Sequence, residues 1–295
     1  MDASEIQVRD PFILPVAETG EYFLFGSTDR DVWHGPGTGF DCYRSRDLVA
    51  WDGPTPAFRP PADFWATTNF WAPEVHRHAG RFFMFATFFA PGRYRGTQVL
   101  AADVPEGPYL PWSDGPVTPP RWQCLDGTLH VDTNGVPWIV FCHEWEQIHN
   151  GAVCAQRLTP DLRRAVGRPV VLFNASEAPW VHPLQIDVTA GRAFPVYVTD
   201  GPFLHRTAWG ALLMLWSSFG ARGYAMGLAR SENGRVDGEW TQLPEPLWDH
   251  DGGHGMIFRT LGGRPWLTFH WPNVTPTERA VFRELIEEKD TLRLA

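Results

Sequence analysis

The chain has very little lysine and cysteine. Its 295 residues include one lysine, Lys289, and four cysteines, and 34 acidic residues against 25 basic ones give a net charge of −9. An acidic chain without a Lys/Arg-rich run lacks the electrostatic features that attract nucleic acid or an anionic membrane surface. We therefore expect neither as a partner.

Long apolar runs and targeting signals are also missing. No apolar stretch approaches the roughly 18–20 residues needed to span a bilayer, and the N-terminal segment has no basic patch followed by an apolar core. The cysteines show neither C-x-x-C spacing nor the density of a disulfide scaffold, which predicts reduced, buried thiols at Cys42, Cys124, Cys142 and Cys154. These features predict a cytoplasmic protein.

Tryptophan, proline and glycine are abundant, with 15, 27 and 28 residues, and 43% of the chain is hydrophobic. So many Pro and Gly residues indicate many turns and few long helices. The length alone allows two domains or one large all-β domain. The tryptophans have two interpretations, either packing between sheets or stacking against the C–H faces of sugar rings.

A repeated strand–turn–strand unit decides the fold class. Its clearest copy runs from Thr199 to Phe219, where two short apolar runs are broken at Gly210. The same unit recurs four more times, with starts separated by 62, 54, 74 and 54 residues at Asp10, Ala72, Asp126, Asp200 and His254. Repetition at this spacing is typical of a β-propeller. We predict one all-β domain over residues 1–295, a five-bladed propeller with about four antiparallel strands per blade.

In a propeller the first strand of each blade lines a central channel, so polar residues on these strands converge. The residues expected near the axis are Asp10, Glu74, Asp126, Asp200 and His254. Several carboxylates on one axis are electrostatically costly, which indicates function or a bound cation. Two carboxyl groups roughly 6.5–9.5 Å apart can hydrolyse a glycosidic bond with inversion, and a third raises the pKa of the acid.

Five motifs, which lie in chain order in blades one, two, three and five, resemble those of glycoside hydrolase family 43, the five-bladed propellers that remove arabinofuranosyl or xylosyl units from plant polysaccharides. They are Arg9-Asp10-Pro11, Ser45-Arg-Asp-Leu-Val-Ala-Trp51, Phe70-Trp-Ala-Pro-Glu74, Leu125-Asp126 through Asp132-Thr-Asn-Gly135, and Gly253-His254-Gly255. The resemblance implies that Asp10 is the general base and that Asp126 tunes and orients the acid. It also implies that His254 faces a structural calcium in the channel, and no organic cofactor is expected.

The general acid is the one departure from the family pattern, which has a Glu at the start of blade four. Here blade four begins Asp200-Gly-Pro, while Ser176-Glu177-Ala-Pro179 lies upstream with the expected residue type. The segment from Trp180 to Val198 is long enough to fold Glu177 back into the funnel. We favour Glu177 as the acid, with Asp200 as an adjacent substrate-binding or pKa-tuning carboxylate; the reverse assignment stays open.

The remaining candidates each have a plain alternative. Trp71 forms a substrate wall or packs in the core, and Glu74 faces the funnel or pairs with a buried Arg. His34, on the long loop of blade one, is a candidate pocket wall. His254 is a calcium-facing residue or a core imidazole, since no Asp/Asn-rich calcium loop is present.

The sequence therefore predicts an inverting, exo-acting glycoside hydrolase, an α-L-arabinofuranosidase or β-xylosidase, acting on plant-type oligosaccharides. Two rivals are a five-bladed glycoside phosphorylase, which should lack a well-placed base, and a catalytically silent sugar-binding propeller, which should lack carboxylates. Nothing in the sequence indicates the oligomeric state.

Overall fold

Five antiparallel sheets of four strands and one two-stranded sheet make up the described part of the chain, which confirms the five-bladed propeller. The structure, a computed structural model, describes residues 1–189 and 192–295. Blade one comprises β1 (Arg9–Val16), β2 (Glu21–Ser27), β3 (Phe40–Ser45) and β4 (Trp51–Phe58); blade two comprises β5 (Thr68–His78), β6 (Arg81–Phe89), β7 (Gly96–Ala102) and β8 (Leu110–Pro116).

The other three blades follow in chain order, with one hairpin between blades three and four. Blade three comprises β9 (Cys124–Val131), β10 (Pro137–His143), β11 (Ala152–Leu158) and β12 (Ala165–Asn174), and the hairpin is β13 (Leu184–Thr189) with β14 (Arg192–Val196). Blade four comprises β15 (Asp200–Arg206), β16 (Leu212–Gly220), β17 (Gly223–Ser231) and β18 (Trp240–Gln242); blade five comprises β19 (Gly253–Arg259), β20 (Pro265–Trp271), β21 (Arg279–Glu287) and β22 (Leu292–Leu294).

Helical structure is sparse among the described residues. It consists of α1 (Trp145–Ile148) and two short 3₁₀ turns, Ala3–Glu5 and Ala175–Glu177. None of these is long or apolar enough to cross a membrane.

Tight turns join the first and second strands as the glycine positions predict. The Gly135 N–H donates to the Asp132 carbonyl at 2.9 Å with φ +77°, and the Gly210 N–H does the same to Thr207 with φ +92°. Glycine adopts this left-handed conformation without steric cost, so the chain reverses there and the two apolar runs pair.

The hydrophobic core lies between neighbouring sheets rather than on the axis. One cluster joins blades one, two and five and is rich in phenylalanine, including Phe58, Phe70 and Phe88, whose rings lie 4.9–6.2 Å apart between centroids. Much of the aromatic excess is therefore packing between blades. All four cysteines are buried and unpaired, as predicted.

Propeller topology places two sets of chain segments on the same face. Each first strand begins at this face, and each second strand returns to it before turning into the third. The five strand starts and the five loops between second and third strands therefore surround one mouth of the channel.

Candidate active site

A cavity of about 460 Å³ opens at that mouth, a size within the range of ligand pockets. Its floor comes from the starts of the first strands and its walls from the loops that follow the second strands. The lining residues include Arg9, Asp10, Trp71, Asp126, Asp200 and His254 from the first strands, Trp33, His34, Arg95, Glu144, Trp145, Asn273 and Thr275 from the loops, and Phe219 at the end of β16. Every blade contributes to the cavity.

Each first strand carries a β-bulge in its first half, and the first unpaired residue of each bulge has a positive φ. The pairing register shifts at each bulge, and the five residues have φ between +45° and +55°: Asp10, Ala72, Asp126, Gly201 and His254. A bulge bends the strand and re-aims its side chains, which turns these residues towards the axis.

Neighbouring blades are joined by hydrogen bonds from the bulge N–H groups. Each N–H of Ala72, Asp126 and His254 donates to a hydroxyl on the second strand of the preceding blade, at 2.8–2.9 Å, and the partners are Ser27, Thr87 and Ser217. The Asp10 N–H donates to His270 Nδ1 at 3.3 Å across the junction of blades five and one. The ring of bulges is therefore fixed blade to blade.

Blade four breaks this pattern. The residue equivalent to those hydroxyl residues in blade three is Cys142, and the Gly201 N–H donates instead to Asp126 Oδ2 at 3.0 Å. The repeat thus places Gly201, not Asp200, in register with Asp10 and Asp126. Asp200 lies one residue earlier, at the position that Arg9 and Trp71 hold in their blades.

Asp10 is held as an ionised carboxylate. Burial alone would raise its pKa, but the His254 imidazole with Nδ1 at 3.2 Å and the Arg9 guanidinium at 3.6 Å hold the pKa below its ordinary value. Ser27 donates a hydrogen bond to its Oδ2 at 2.8 Å. An ionised, hydrogen-bonded carboxylate facing a cavity has the properties of a general base.

Asp126 and Asp200 have the opposite tendency. Burial and the other nearby carboxylates raise the pKa of Asp126 to about 7, and burial likewise raises the pKa of Asp200. The Tyr224 hydroxyl donates to Asp200 Oδ2 at 2.8 Å, and burial raises the pKa of this phenol so that it stays protonated. One cavity therefore holds a carboxylate kept ionised and two carboxyl groups that favour protonation.

Glu144 and Arg95 are site residues that the sequence motifs missed. Both are buried, and Arg95 donates to Glu144 Oε2 at 3.1 Å and lies 4.7 Å from the Trp71 ring centroid. Burial, opposed by Arg95, raises the pKa of Glu144 well above its ordinary value. They come from loops between second and third strands, which carry no repeated motif; only the general rule that such loops reach the propeller mouth could have indicated them.

Aromatic side chains form the rim beside Arg9 and Arg95. Trp71 lines the cavity, and its indole N–H donates to the Val32 carbonyl at 2.6 Å. Trp33 packs edge-on to Trp71 at 5.3 Å and donates to the Thr275 hydroxyl at 3.0 Å. His34 is exposed at the same rim. The structure thus places Trp71 and His34 where substrate-wall residues were expected.

Two expected residues lie elsewhere. Glu177 is exposed and caps its own 3₁₀ turn, accepting from the Asn174 N–H at 2.8 Å, so it is not brought to the cavity. The segment that was expected to return it to the funnel instead contains the β13–β14 hairpin, in which residues 190 and 191 lie outside the described residues. Glu74 lies deeper in the channel, where it pairs with His76 at 3.1 Å and accepts from the Thr128 hydroxyl rather than pairing with an Arg.

Few side chains near His254 could bind the expected calcium. Within the described part of the chain no group of three or more His, Cys, Asp or Glu side chains is arranged to hold a metal ion. His254 Nδ1 faces Asp10 and Asp126, and these carboxylates raise its pKa although burial opposes them. Calcium requires six to eight oxygen ligands, so these side chains do not fit a directly held ion. The calcium stays a prediction, and no step below depends on it.

Solved structures of known proteins share the fold. An endo-arabinase from Bacteroides thetaiotaomicron VPI-5482 has 40% sequence identity, covers 99% of this chain and 98% of its own, and superposes with a TM-score of 0.90. A thermostable family-43 glycoside hydrolase has 21% identity, covers 98% and 92%, and superposes with a TM-score of 0.80.

A curated relative is similar over part of its length. The extracellular exo-alpha-(1->5)-L-arabinofuranosidase ArbA of Cellvibrio japonicus is 26% identical over 181 residues, which cover 55% of this chain and 46% of the relative. The chain therefore aligns with somewhat less than half of that protein. The family model for glycosyl hydrolases family 43 matches residues 4–290, nearly the whole chain. The chain belongs to glycosyl hydrolase family 43.

Proposed function

We propose that the protein is an inverting, exo-acting glycoside hydrolase that releases terminal arabinofuranosyl units from arabinan-type oligosaccharides. The observation that carries this proposal is the pair of carboxyl groups in one cavity with opposite pKa shifts, Asp10 below and Asp200 above the ordinary value. Arabinose is favoured over xylose because both the 40%-identical endo-arabinase and the arabinofuranosidase relative are named for arabinan-type substrates.

In the proposed reaction Asp10 takes a proton from a water molecule as its oxygen attacks the anomeric carbon. Asp200 gives its proton to the glycosidic oxygen as the bond to the leaving sugar breaks, so one proton is taken and one is given in a single displacement. Asp200 replaces Glu177 in this role because Asp200 lines the cavity, whereas Glu177 is exposed outside it.

Asp126 is proposed to orient the acid rather than to react. Its Oδ2 accepts a hydrogen bond from the N–H of Gly201, the residue that follows Asp200. The same Oδ2 lies 3.6 Å from His254 Nδ1. A carboxyl group bonded to the backbone next to the acid fixes the position of the acid, and whenever Asp126 is ionised its charge raises the cost of ionising Asp200.

Exo action is supported by contacts across the rim. Trp33 of blade one bonds to Thr275 of blade five, and Trp71 of blade two bonds to the blade-one loop at Val32. These links close three adjacent blades on one side of the cavity. A chain threading through a cleft needs two open ends, so a closed side favours a pocket for one terminal unit.

Product analysis tests the proposal. Linear arabino-oligosaccharides should yield arabinose as the first product, with inversion visible by NMR of the fresh anomer, and nitrophenyl arabinofuranoside should be cleaved faster than the xyloside. Internal fragments as first products would show endo action instead. Release of xylose alone would show that the enzyme acts on xylosides rather than on arabinofuranosides.

A phosphorylase is disfavoured by the cations at the site. Arg9 and Arg95 both line the cavity, but Arg9 pairs with Glu278 at 3.2 Å and Arg95 with Glu144 at 3.1 Å. Adding phosphate should therefore not change the product. A sugar phosphate formed only with added phosphate would overturn hydrolysis, and sugar binding without turnover would indicate a silent propeller.

A further inference from the structure

A second cavity, of about 370 Å³, lies on the same face of the propeller as the first. It is bounded by Trp65 before β5, by the loop of residues 92–95 between β6 and β7, and by the segment 116–120 that leads from β8 to blade three. We call it the rim groove. Because all three segments belong to the mouth end of blade two, the rim groove lies beside the catalytic cavity.

Arg95 connects the two cavities. Among the described residues it is the one that lines both cavities. Its guanidinium pairs with Glu144 inside the catalytic cavity. Its backbone is fixed, since its N–H donates to Gln123 Oε1 at 2.7 Å and its carbonyl accepts from the Cys124 N–H at 3.0 Å. The boundary between the cavities is therefore a fixed part of the fold.

The rim groove has an aromatic surface with a rigid wall. Tyr94 is 45% exposed, and the half-buried Trp65 ring is held by a hydrogen bond from its indole N–H to Gln98 Oε1 at 2.6 Å. Arg93 lies 5.9 Å from the Trp65 ring centroid. The opposite wall is formed by prolines, whose backbone is conformationally restricted: Pro116, Pro119 and Pro120.

This combination fits a sugar. A sugar ring places its C–H face on an aromatic ring and its hydroxyls towards charged or polar groups, here the guanidinium of Arg93. Aromatic rings held in place before binding lose little conformational freedom when a ligand docks, so they add affinity at small entropic cost.

We propose that the rim groove binds the sugar units that follow the terminal one, on the leaving-group side of the bond that is cleaved. This inference rests on the proposed function, because a pocket that holds one terminal unit leaves the rest of the oligosaccharide outside it. The chain leaves the catalytic cavity past Arg95 and lies against Tyr94 and Trp65.

Substitution of Tyr94 tests the rim groove without touching the chemistry. Tyr94→Ala should lower kcat/KM on arabinopentaose about tenfold, mainly through KM, as expected for losing one stacking contact. Hydrolysis of nitrophenyl arabinofuranoside, which is too short to reach the groove, should change less than about twofold. The matched control is Trp209→Ala, because Trp209 is 60% exposed but lies in the turn between β15 and β16 at the opposite face.

A binding measurement separates this inference from the proposed function. Calorimetric titration of arabinopentaose into Asp10→Asn, with and without Tyr94→Ala, measures binding to the rim groove without turnover. The double variant should bind the pentaose about tenfold more weakly than Asp10→Asn alone. If the parent protein does not cleave the aryl arabinofuranoside but pentaose binding depends on Tyr94, the proposed hydrolase function is wrong and sugar binding in the rim groove is supported. Pentaose kinetics and binding that are indifferent to Tyr94 overturn the groove, whatever the aryl substrate shows.

Discussion

Asp10 and Asp200 differ in protonation because of what surrounds each carboxyl group. Both carboxyl groups are buried, and both feel the charges of His254 and Arg9. At Asp10 these charges outweigh burial and hold the pKa down, whereas at Asp200 burial outweighs them and the Tyr224 hydrogen bond and raises the pKa. Environment rather than residue type thus assigns the roles of base and acid. The same reasoning makes Asp200, although an Asp, a suitable proton donor, because its pKa lies above the ordinary value.

Substitution of the two candidate acids decides between them. Asp200→Asn should lower kcat on arabino-oligosaccharides by about 10²–10⁴, the usual contribution of a general acid, and by much less on an aryl glycoside whose leaving group needs no proton. Glu177→Gln is the matched control and should stay within about twofold of the parent, since it removes one contact of an exposed turn. The opposite result would return the acid to Glu177.

The pH profile of kcat/KM on arabino-oligosaccharides should be bell-shaped. Activity rises as the base ionises, and the lowered pKa of Asp10 places this acid limb below about pH 4. Activity falls as the acid loses its proton. Asp126, with a pKa of about 7, titrates together with Asp200, so the alkaline limb lies near neutral pH and belongs to the pair.

Tyr224→Phe should move the alkaline limb to higher pH. The Tyr224 hydroxyl donates to Asp200 Oδ2 and so stabilises the ionised form. Without it the pKa of Asp200 rises further, and the acid keeps its proton to higher pH. The acid limb, set by Asp10, should not move. A limb that stays in place or moves down would show that Asp200 is not the titrating acid.

At the residue scale the sequence predicts the members of the motif-bearing first strands. Asp10, Asp126, Asp200 and His254 all line the cavity as expected. Glu144, Arg95 and Tyr224 could not be found this way, because they are brought in by loops and by third strands whose spacing follows no repeat. Glu177 lies outside the cavity because position in the repeat, rather than residue type and neighbours, decides which carboxyl group reaches the mouth.

At the element scale the important unit is the bulge that starts each blade. Four bulges carry Asp, Ala or His at positive φ, so the left-handed backbone conformation alone does not require glycine. Gly201 is needed for a different reason, because a Cβ there would lie 2.7 Å from His254 Cδ2. Blade four has glycine because the imidazole of blade five occupies the space above it.

Gly201→Ala should therefore cost more than the same change at another glycine with positive φ. Gly210, in the turn of the same blade, has φ +92°, and a methyl group placed on its Cα would meet nothing within 4 Å. Both variants bear the cost of the left-handed conformation, about 1–2 kcal/mol, but only Gly201→Ala adds overpacking, about 1–3 kcal/mol more. Urea unfolding measures the difference, and equal losses would contradict the packing argument. Gly201→Ala should also lower activity by displacing His254.

The strand pattern could be predicted from the sequence because each unit pairs two apolar runs across a glycine turn. The position of Asp200, one residue before the bulge position that Asp10 and Asp126 hold, could not be predicted, since a bulge inserts a residue that period-two alternation does not reveal. Two features that could have indicated it are Gly201 itself and Cys142, which lies where blades one, two and four have a hydroxyl residue. The β13–β14 hairpin likewise follows no repeat of the five blades.

At the scale of the whole molecule the ring is closed by contacts between blades one and five rather than by a shared strand. Among the residues that the structure describes, each blade is built from four consecutive strands, so no strand from one end of the chain completes a blade at the other. Blades one and five meet through the shared phenylalanine-rich cluster, through the Val8 N–H bond to the Glu278 carbonyl at 3.2 Å, and through the buried Arg9–Glu278 pair. This pair also supports the base, since Arg9 contacts Asp10.

Glu278→Ala should therefore destabilise the fold strongly. Glu278 is fully buried and accepts from Arg9 and Thr275, so its loss leaves Arg9 buried with only part of its compensation. We expect a loss of about 3 kcal/mol, the low end of the range for breaking a buried pair, because the guanidinium still donates to Asn273 Oδ1 at 2.7 Å. The measurement is the free energy of unfolding in urea.

The matched control is Glu284→Ala, which removes the exposed Arg264–Glu284 pair on β21, the strand that follows Glu278, and should cost less than about 1 kcal/mol. Similar losses for the two variants would show that the buried pair does not close the ring.

Glu278→Ala should also lower activity at temperatures where the variant is still folded, because a displaced Arg9 no longer holds the pKa of Asp10 down. The acid limb of the pH profile would then move to higher pH, a change that Glu284→Ala should not produce.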